Sequence, residues 1–407
     1  MTPDLSVADL SRVIRRIEAK SRTRPAAPPR ASLEQVLDGA TEETEGGRVL
    51  VVRRRFDLGH RHGGRPLAEA RELAPEGLRL LARAGALAPE GRRFLYLDTE
   101  TTGLAGGTGT YAFLVGVGFF DDEVFEVRQY FMRDLDEEPA LLAALDALFR
   151  RFDGFVTYNG AGFDLPLLET RFVLARRRFP GEVFHLDLLA TARRLWSARL
   201  ADCRLGTVEQ HVLRFIREDD LPGALIPSVY FDYLRRKHPG ELPRVFEHNR
   251  HDILSLAALA GWVADAVARA PGPDLHPEEL AGLGRLWEVA DLERGLACYR
   301  MALERGLPSP GRERLMLRLA AVEKRRTRWD EARALWEAAI SAERGFDPRP
   351  WEEIAKVHEH RRRDPAAARA VVEEALLRAR RAGAQENVLH AFTHRLERLT
   401  RRLASRA

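Results

Sequence analysis

A mixed α/β domain followed by an all-helical domain is the fold class this sequence predicts, and three observations predict it. From residue 94, three β-rich runs give way to alternating helical and extended segments, the pattern of a mixed sheet with helices on both faces. PGPD at residues 271–274 breaks that pattern. Beyond it nearly every segment has helical periodicity, and a nine-residue pattern recurs at offsets of 37 and 36 residues.

Taken in order, the first twenty residues carry Leu10, Val13, Ile14 and Ile17 at helical spacing, which predicts a short amphipathic helix. SRTRPAAPPR (residues 21–30) is too proline-rich to continue it and reads as a linker. In the 31–93 extension, GRVLVVRRRFDLGHRHGGRPL predicts a strand or hairpin with a glycine-rich turn, and Leu78–Ala86 a helix. Residues 94–270 form the next predicted domain. RRFLYLDTETTGL opens it, and TYAFLVGVGFF and EVFEVRQYFM, broken at Asp121–Asp122, predict an antiparallel meander. EPALLAALDALFRRF is a helix with Pro139 near its start, FVTYNG a strand, and DLPLLETRFVLARRRF a helix beginning at Asp164. GTVEQHVLRF predicts a helix, and a long one surrounds HNRHDILSLAALAGWVADAVARA.

Residues 276–407 contain GLACYRMAL, ARALWEAAI and ARAVVEEAL. Each places small, bulky and small residues at i, i+4 and i+7, one helix face on which a neighbour can pack closely. Leu319-Ala320 fits the first helix of such a unit. The spacing resembles tetratricopeptide (TPR) repeats, whose concave surfaces suit a protein partner.

The net charge of +4 is uneven: +5 over residues 1–93, −7 over 94–275 and +6 over 276–407. An acidic middle between basic flanks suits central cations and a peripheral polyanion. Only four of the 65 basic residues are lysine. Two cysteines, Cys203 and Cys298, exclude a disulfide framework and a cysteine-rich zinc site. No apolar run approaches the roughly 18 residues of a membrane span, and the N-terminus lacks a signal peptide's apolar core, so a cytoplasmic protein without a membrane partner is expected.

Asp98 and Glu100 would project from one side of a strand end, where two carboxylates repel unless a cation compensates them. Oxygen ligands of this kind suit Mg²⁺ or Mn²⁺; the bland alternative is a solvated strand end. NGAGFD (residues 159–164) puts a third acid at a strand-to-helix corner, and in HNRHD (248–252) His248 and Asp252 share a helix face. Asp187, in HLDLLATARRLW, is a possible fifth acid near the site, and helix capping is the bland reading of it and of Asp164 and Asp252. Gly106-Gly107-Thr108-Gly109 lacks the lysine of a nucleotide loop. His60 and His62 read as part of a turn, although they could touch a metal or phosphate. Tyr111, Phe113, Phe163 and Trp262 are core candidates before they are base-stacking ones.

In this order, LDTETTG, NGAGFD and HNRHD resemble the DEDD superfamily of 3′→5′ exonucleases, which have a ribonuclease-H-like fold. TTGLAGGTGTYAFLVGVG and HLDLLATARRLW resemble more narrowly its YprB-like branch, and the likeness covers about residues 94–265. The resemblance implies that Asp98, Glu100, Asp164 and Asp252 bind two divalent ions, Mg²⁺ or Mn²⁺, for phosphodiester hydrolysis. It implies substrate contacts for Thr101 and Asn159. The third motif departs from the family. One branch has His five residues before the acid, where this chain has Glu247; the other has Tyr four residues before it, where this chain has His248. His248 is a candidate general base or water-orienting residue, with His251 as a competitor. The expected function is thus a metal-dependent nuclease acting on DNA or RNA. The alternatives are a non-catalytic nucleic-acid-binding or protein-scaffolding module, and other phosphoryl chemistry on the same centre.

Overall fold

A computed structural model describes residues 31–73, 75–81, 93–103, 108–181, 183–342 and 345–405. The expected N-terminal helix, the proline-rich linker, residues 82–86 of the predicted 78–86 helix, and Gly106-Gly107 lie outside them. The chain divides into two compact units at Ala268/Arg269.

In the first unit, α1 (Leu33–Leu37), capped by Ser32, leads into the hairpin β1 (Gly39–Thr44) and β2 (Gly47–Asp57). A two-residue pair, β3 (Arg61–His62) and β4 (Arg65–Pro66), and helix α2 (Pro75–Leu81) follow. The meander is β5 (Phe94–Thr101), β6 (Ala112–Asp121) and β7 (Val124–Phe131). Next come α3 (Glu138–Phe149), β8 (Gly154–Thr157), α4 (Asp164–Leu174), β9 (Phe184–Asp187) and α5 (Leu188–Trp196). A short α6 (Leu205–Val208) continues as one π turn, Glu209–Leu213, in place of the expected regular helix. Helices α7 (Ile226–Arg236) and α8 (Leu242–Arg269) complete the unit.

One seven-stranded sheet has the order β1-β2-β7-β6-β5-β8-β9. It is antiparallel from β1 to β5, and β8 and β9 run parallel to β5. This is the mixed sheet the sequence predicts. The expected boundary at residue 93 does not divide it, however, because β2 pairs with β7 from Leu50↔Phe131 to Asp57↔Val124. The 31–93 extension therefore supplies two strands of the same sheet.

The two-residue period sorts the faces. Leu95, Leu97, Val115 and Val117 join one core with Leu141, Leu145 and Phe149 of α3 and Phe172 of α4. Tyr96, Asp98 and Glu100 have the opposite parity, and α8 covers that side. The approach is close: a Cβ on Gly116 would lie 2.1 Å from Asn249 Oδ1, and one on Gly118 would lie 2.5 Å from Ile253 Cγ2. The GVG of β6 is thus the slot that admits α8. Contrary to the expectation from unbroken apolar runs, α8 is long and apolar enough by composition to cross a membrane; 83% of its apolar window is buried within the protein.

The second unit is helical throughout: α9 (Pro277–Ala290), α10 (Leu292–Glu304), α11 (Gly311–Arg325), α12 (Trp329–Ala342), α13 (Pro348–Lys356), α14 (Pro365–Arg381) and α15 (Glu386–Ala404). Successive helices pair as α9–α10, α11–α12 and α13–α14, and α15 packs on α14. The repeated small–bulky–small positions fall on the second helix of each pair. Tyr299, Ala302, Ala332, Trp336, Ala339, Ala368, Val372 and Ala375 are all buried there. Leu319 and Ala320 are buried in α11. Aspartates 291, 347 and 364 cap α10, α13 and α14.

Candidate metal centre

Strand parity presents Asp98 and Glu100 to α8, while Thr99 points the other way and donates from Oγ1 to Asp164 Oδ1 at 2.5 Å. Asp164 stands in the first turn of α4, 4% exposed, and its carboxylate bonds across to β5. The loop before it is clamped by Asp187, which accepts from Asn159 N (2.8 Å) and Ala161 N (3.1 Å) and caps α5 through Leu189 N. Of its two readings Asp187 takes the capping one and, in addition, anchors the NGAGFD loop.

Asp252 is an interior residue of α8 and caps nothing, as is the rest of the HNRHD motif, which the sequence placed at the helix start. One helical turn earlier, His248 brings Nε2 to 3.5 Å from Asp252 Oδ2. Ligand atoms of Glu100, His248 and Asp252 lie within 4.8 Å of one another. Glu247, the competing position, is exposed. His251 turns to another face of α8, against Phe215 at 5.1 Å.

Several partners escape sequence reading. Asn249 Nδ2 donates to Asp98 Oδ2 (2.9 Å), and Gln129 Nε2 donates to Asn249 Oδ1 (2.9 Å) and to the Phe246 carbonyl (2.8 Å). Arg217 is 11% exposed in the irregular segment after the π turn. It donates to Glu209 through Nε (2.8 Å) and Nη2 (2.5 Å), and to Asp252 through Nη2. Asp220 accepts from His248 Nδ1 at 2.9 Å. The signal for Arg217, Glu209 and Asp220 is weak, because charged residues in an irregular stretch ordinarily face solvent.

The electrostatics follow from crowding acids in a poorly hydrated space. Burial, then the charges of Asp252, Asp164 and Glu100, push the Asp98 carboxyl well above the usual range, with the Asn249 bond pulling back. Glu100 is pushed up to about 8 by burial, with His248 opposing and Asp252 and Asp164 reinforcing. Burial takes Asp164 to about 6 despite the Thr99 bond. For His248, burial works against the charged ring, but Asp220, Asp252 and Glu100 outweigh it and raise the ring to about 9. At neutral pH it is a cation that donates to Asp220.

The residues fit a divalent cation on an observation of their own: Glu100 Oε1 is buried without a hydrogen-bond partner among the described residues. A carboxylate oxygen in that state is costly unless something positive meets it. Carboxylate oxygens suit a hard divalent cation rather than a thiol-loving metal, and the one imidazole widens the choice. The structure gathers Glu100, His248 and Asp252 most tightly, and Asp98 and Asp164 border them with bonds to Asn249 and Thr99. Thr101 is buried beside a β-bulge, donating to the Gly103 carbonyl at 2.9 Å. Asn159 is exposed at the clamped loop with φ 65°.

The other candidates fall to structural roles. His62 is buried with Nε2 at 2.7 Å from Ser255 Oγ. Phe113 and Trp262 are core residues, and Tyr111 lies under the Arg171 guanidinium at 3.9 Å.

The acids stand at the end of an interior strand, β5, of a mixed sheet, and residues 95–264 match the model of the RNase_H superfamily, a nuclease-like fold. Over 366 residues the chain is 31% identical to the Bacillus subtilis (strain 168) protein named Uncharacterized protein YprB, spanning 88% of this chain and 86% of that one. The chain belongs to the YprB family and carries its ribonuclease H superfamily domain at residues 95–264. Nucleic acid as partner and a divalent metal as cofactor follow at the level of that superfamily.

Proposed function

We propose that this protein is a divalent-metal-dependent nuclease of the DEDD type, removing nucleotides from the 3′ end of DNA or RNA. The observation that carries the proposal is a buried Glu100, one oxygen of which has no partner among the described residues, grouped with His248 and Asp252 and within electrostatic reach of Asp98 and Asp164. Asp98, Glu100, Asp164 and Asp252 would hold two ions, Mg²⁺ or Mn²⁺. When bound, such ions supply the charge that activates a water and offsets charge developing on the leaving oxygen.

The chain's own groups do the rest. Asn249 and Thr99 fix the carboxylates of Asp98 and Asp164 so that little reorganisation accompanies reaction. His248 holds a proton at Nδ1 against Asp220, and Nε2 faces Asp252. To serve as a general base it must first lose a proton, so in the metal-free protein its work is to compensate charge. Thr101 and Asn159 would contact the strand.

A second reading, a module that binds nucleic acid without cutting it, draws on the bond from Arg217 to Asp252, an internal cation already at the site. The helical hairpins, read as TPR-like repeats, would then carry a protein partner. A gel time course with 3′- and 5′-labelled DNA and RNA in Mg²⁺, Mn²⁺ or EDTA decides between them. The wild type runs beside Asp98→Asn/Glu100→Gln and Asp252→Asn. A metal-dependent ladder from the 3′ end, lost in both variants, is expected. Internal cuts would remove the polarity, and no cleavage by folded protein would favour the module.

A further inference from the structure

Beside the metal group, on an adjoining face of α8, lies a cavity of about 390 Å³ that no step of the proposed hydrolysis uses. Among the described residues four arginines, three histidines, two phenylalanines and a leucine line it, and no acid does. The two arginines from β2 are already engaged, Arg54 with Asp38 and Arg55 with Glu126, each at 3.1 Å. The other two are less committed. Arg61 donates to the Gly64 carbonyl and has no carboxylate partner among the described residues. Arg250 pairs at 3.0 Å with Glu247, which is exposed to water and so a weak competitor.

Arginines with no acid among the described lining residues suit an anion better than a cation. His251 lines the space with a buried Nδ1 that has no partner among the described residues. His62, in the wall, stays neutral down to about pH 3, chiefly because burial disfavours its charged form. The aromatic groups add a second chemistry. Phe56 lies against His60 at 4.7 Å and Phe215 against His62 at 3.9 Å, so flat apolar surface adjoins the basic groups. Arginine forks recognise phosphate, and aromatic faces stack on bases. The volume is at the small end for ligand pockets, which suits one nucleotide better than several.

The pocket is also wired to the metal group. His62 Nε2 meets Ser255 Oγ at 2.7 Å, and Ser255 donates to Glu209 Oε1 at 2.5 Å. Glu209 in turn receives Arg217, which holds Asp252. Because Ser255 has one proton and gives it to Glu209, His62 is the donor in the first bond.

We propose that this basic pocket is a second site on the domain, binding the phosphate of a single nucleotide with its base against the phenylalanines. That nucleotide is either a unit of the strand being cut or a free mononucleotide, and the strand source rests on the nuclease reading. Titration calorimetry of the full chain in EDTA tests it, with adenosine 5′-monophosphate, adenosine and inorganic phosphate as probes. The monophosphate should bind and adenosine should not. Arg61→Gln/Arg250→Gln, which changes surface groups and leaves the core intact, should weaken binding about tenfold or more. Asp98→Asn/Glu100→Gln should leave it unchanged. Binding that is undetectable, or undiminished in the double arginine variant, overturns the proposal. A 5′-phosphorylated tetranucleotide binding more tightly than the monophosphate, and losing that affinity in the same variant, assigns the site to the strand; the reverse order assigns it to the free nucleotide. Failure of cleavage with monophosphate binding intact defeats only the nuclease reading.

Discussion

Binding of Mn²⁺ should release protons, and the number follows from the site. Glu100 at about 8 and His248 at about 9 both hold a proton at neutral pH in the metal-free protein. At about pH 7 the first is roughly nine-tenths protonated and the second almost fully. A dication among Glu100, His248 and Asp252 needs the Glu100 oxygen as carboxylate and repels the charge on His248. Between one and two protons should therefore leave for each site filled. The apparent affinity should rise ten- to a hundredfold per pH unit between about pH 6.5 and 7.5, or about 1.4 kcal/mol per proton. The same shifts set the sign for folding. Both groups bind protons more tightly folded than unfolded, so their contribution is present at low pH and lost as pH rises towards 8 and 9. Metal-free protein should thus melt at lower temperature at about pH 8 than at about pH 6.5, and Mn²⁺ should stabilise it most at the higher pH. Calorimetry in buffers of differing ionisation heat counts the protons. Fewer than about half a proton released, with affinity flat in pH, would refute the reasoning.

Three further outcomes are expected. His62, neutral in the fold down to about 3, opposes acid: between that value and its unfolded one, stability should fall by up to about 1.4 kcal/mol per pH unit, and His62→Gln should flatten this limb in urea titrations. Gly116→Ala would place a methyl 2.1 Å from Asn249 Oδ1, costing about 1–3 kcal/mol in denaturant unfolding and weakening Mn²⁺ binding, whereas Gly109→Ala, whose methyl meets nothing within 4 Å, should be near neutral. Arg217→Met strands Glu209 and Asp252 and should cost roughly 3–5 kcal/mol in EDTA. Adding Glu209→Leu should recover part of that cost, and Mn²⁺ should raise the melting temperature of Arg217→Met more than that of the wild type.

Legibility in the sequence tracked regular periods. Asp98 and Glu100 could be placed on one strand face, and His248 with Asp252 on one helix face, because periods of two and 3.6 survive in any packing. The buried repeat positions of the second unit were readable for the same reason. What joins those faces was not. Asn249 reads as an ordinary polar residue until Gly116 opens a slot for it, and Arg217 approaches from irregular chain whose course no period sets. The 31–93 extension was legible as strands, yet nothing local says that β2 pairs with β7, whose partners lie 67 to 81 residues on. His248 was legible as a site residue but not as a cation, because its charge depends on Asp220, twenty-eight positions away.

The slot at Gly116 also keeps two distant stretches of chain in phase. Residues 252–264 of α8 are buried without a break, all the way round the helix. Apart from Asp252 and Ser255 that stretch is apolar or glycine, and apolar surface discriminates poorly between seats one turn, about 5.4 Å, apart. Asn249 does discriminate. Displaced by a turn, it would leave Gln129 and Asp98 without their partner in a dry interface, at about 1–3 kcal/mol for each stranded group. The amide therefore works like the pin of a lock, allowing one seat along the sheet. That seat is the one at which an acid from β5 and an acid from α8, more than 150 residues apart in the chain, come to face the same small volume.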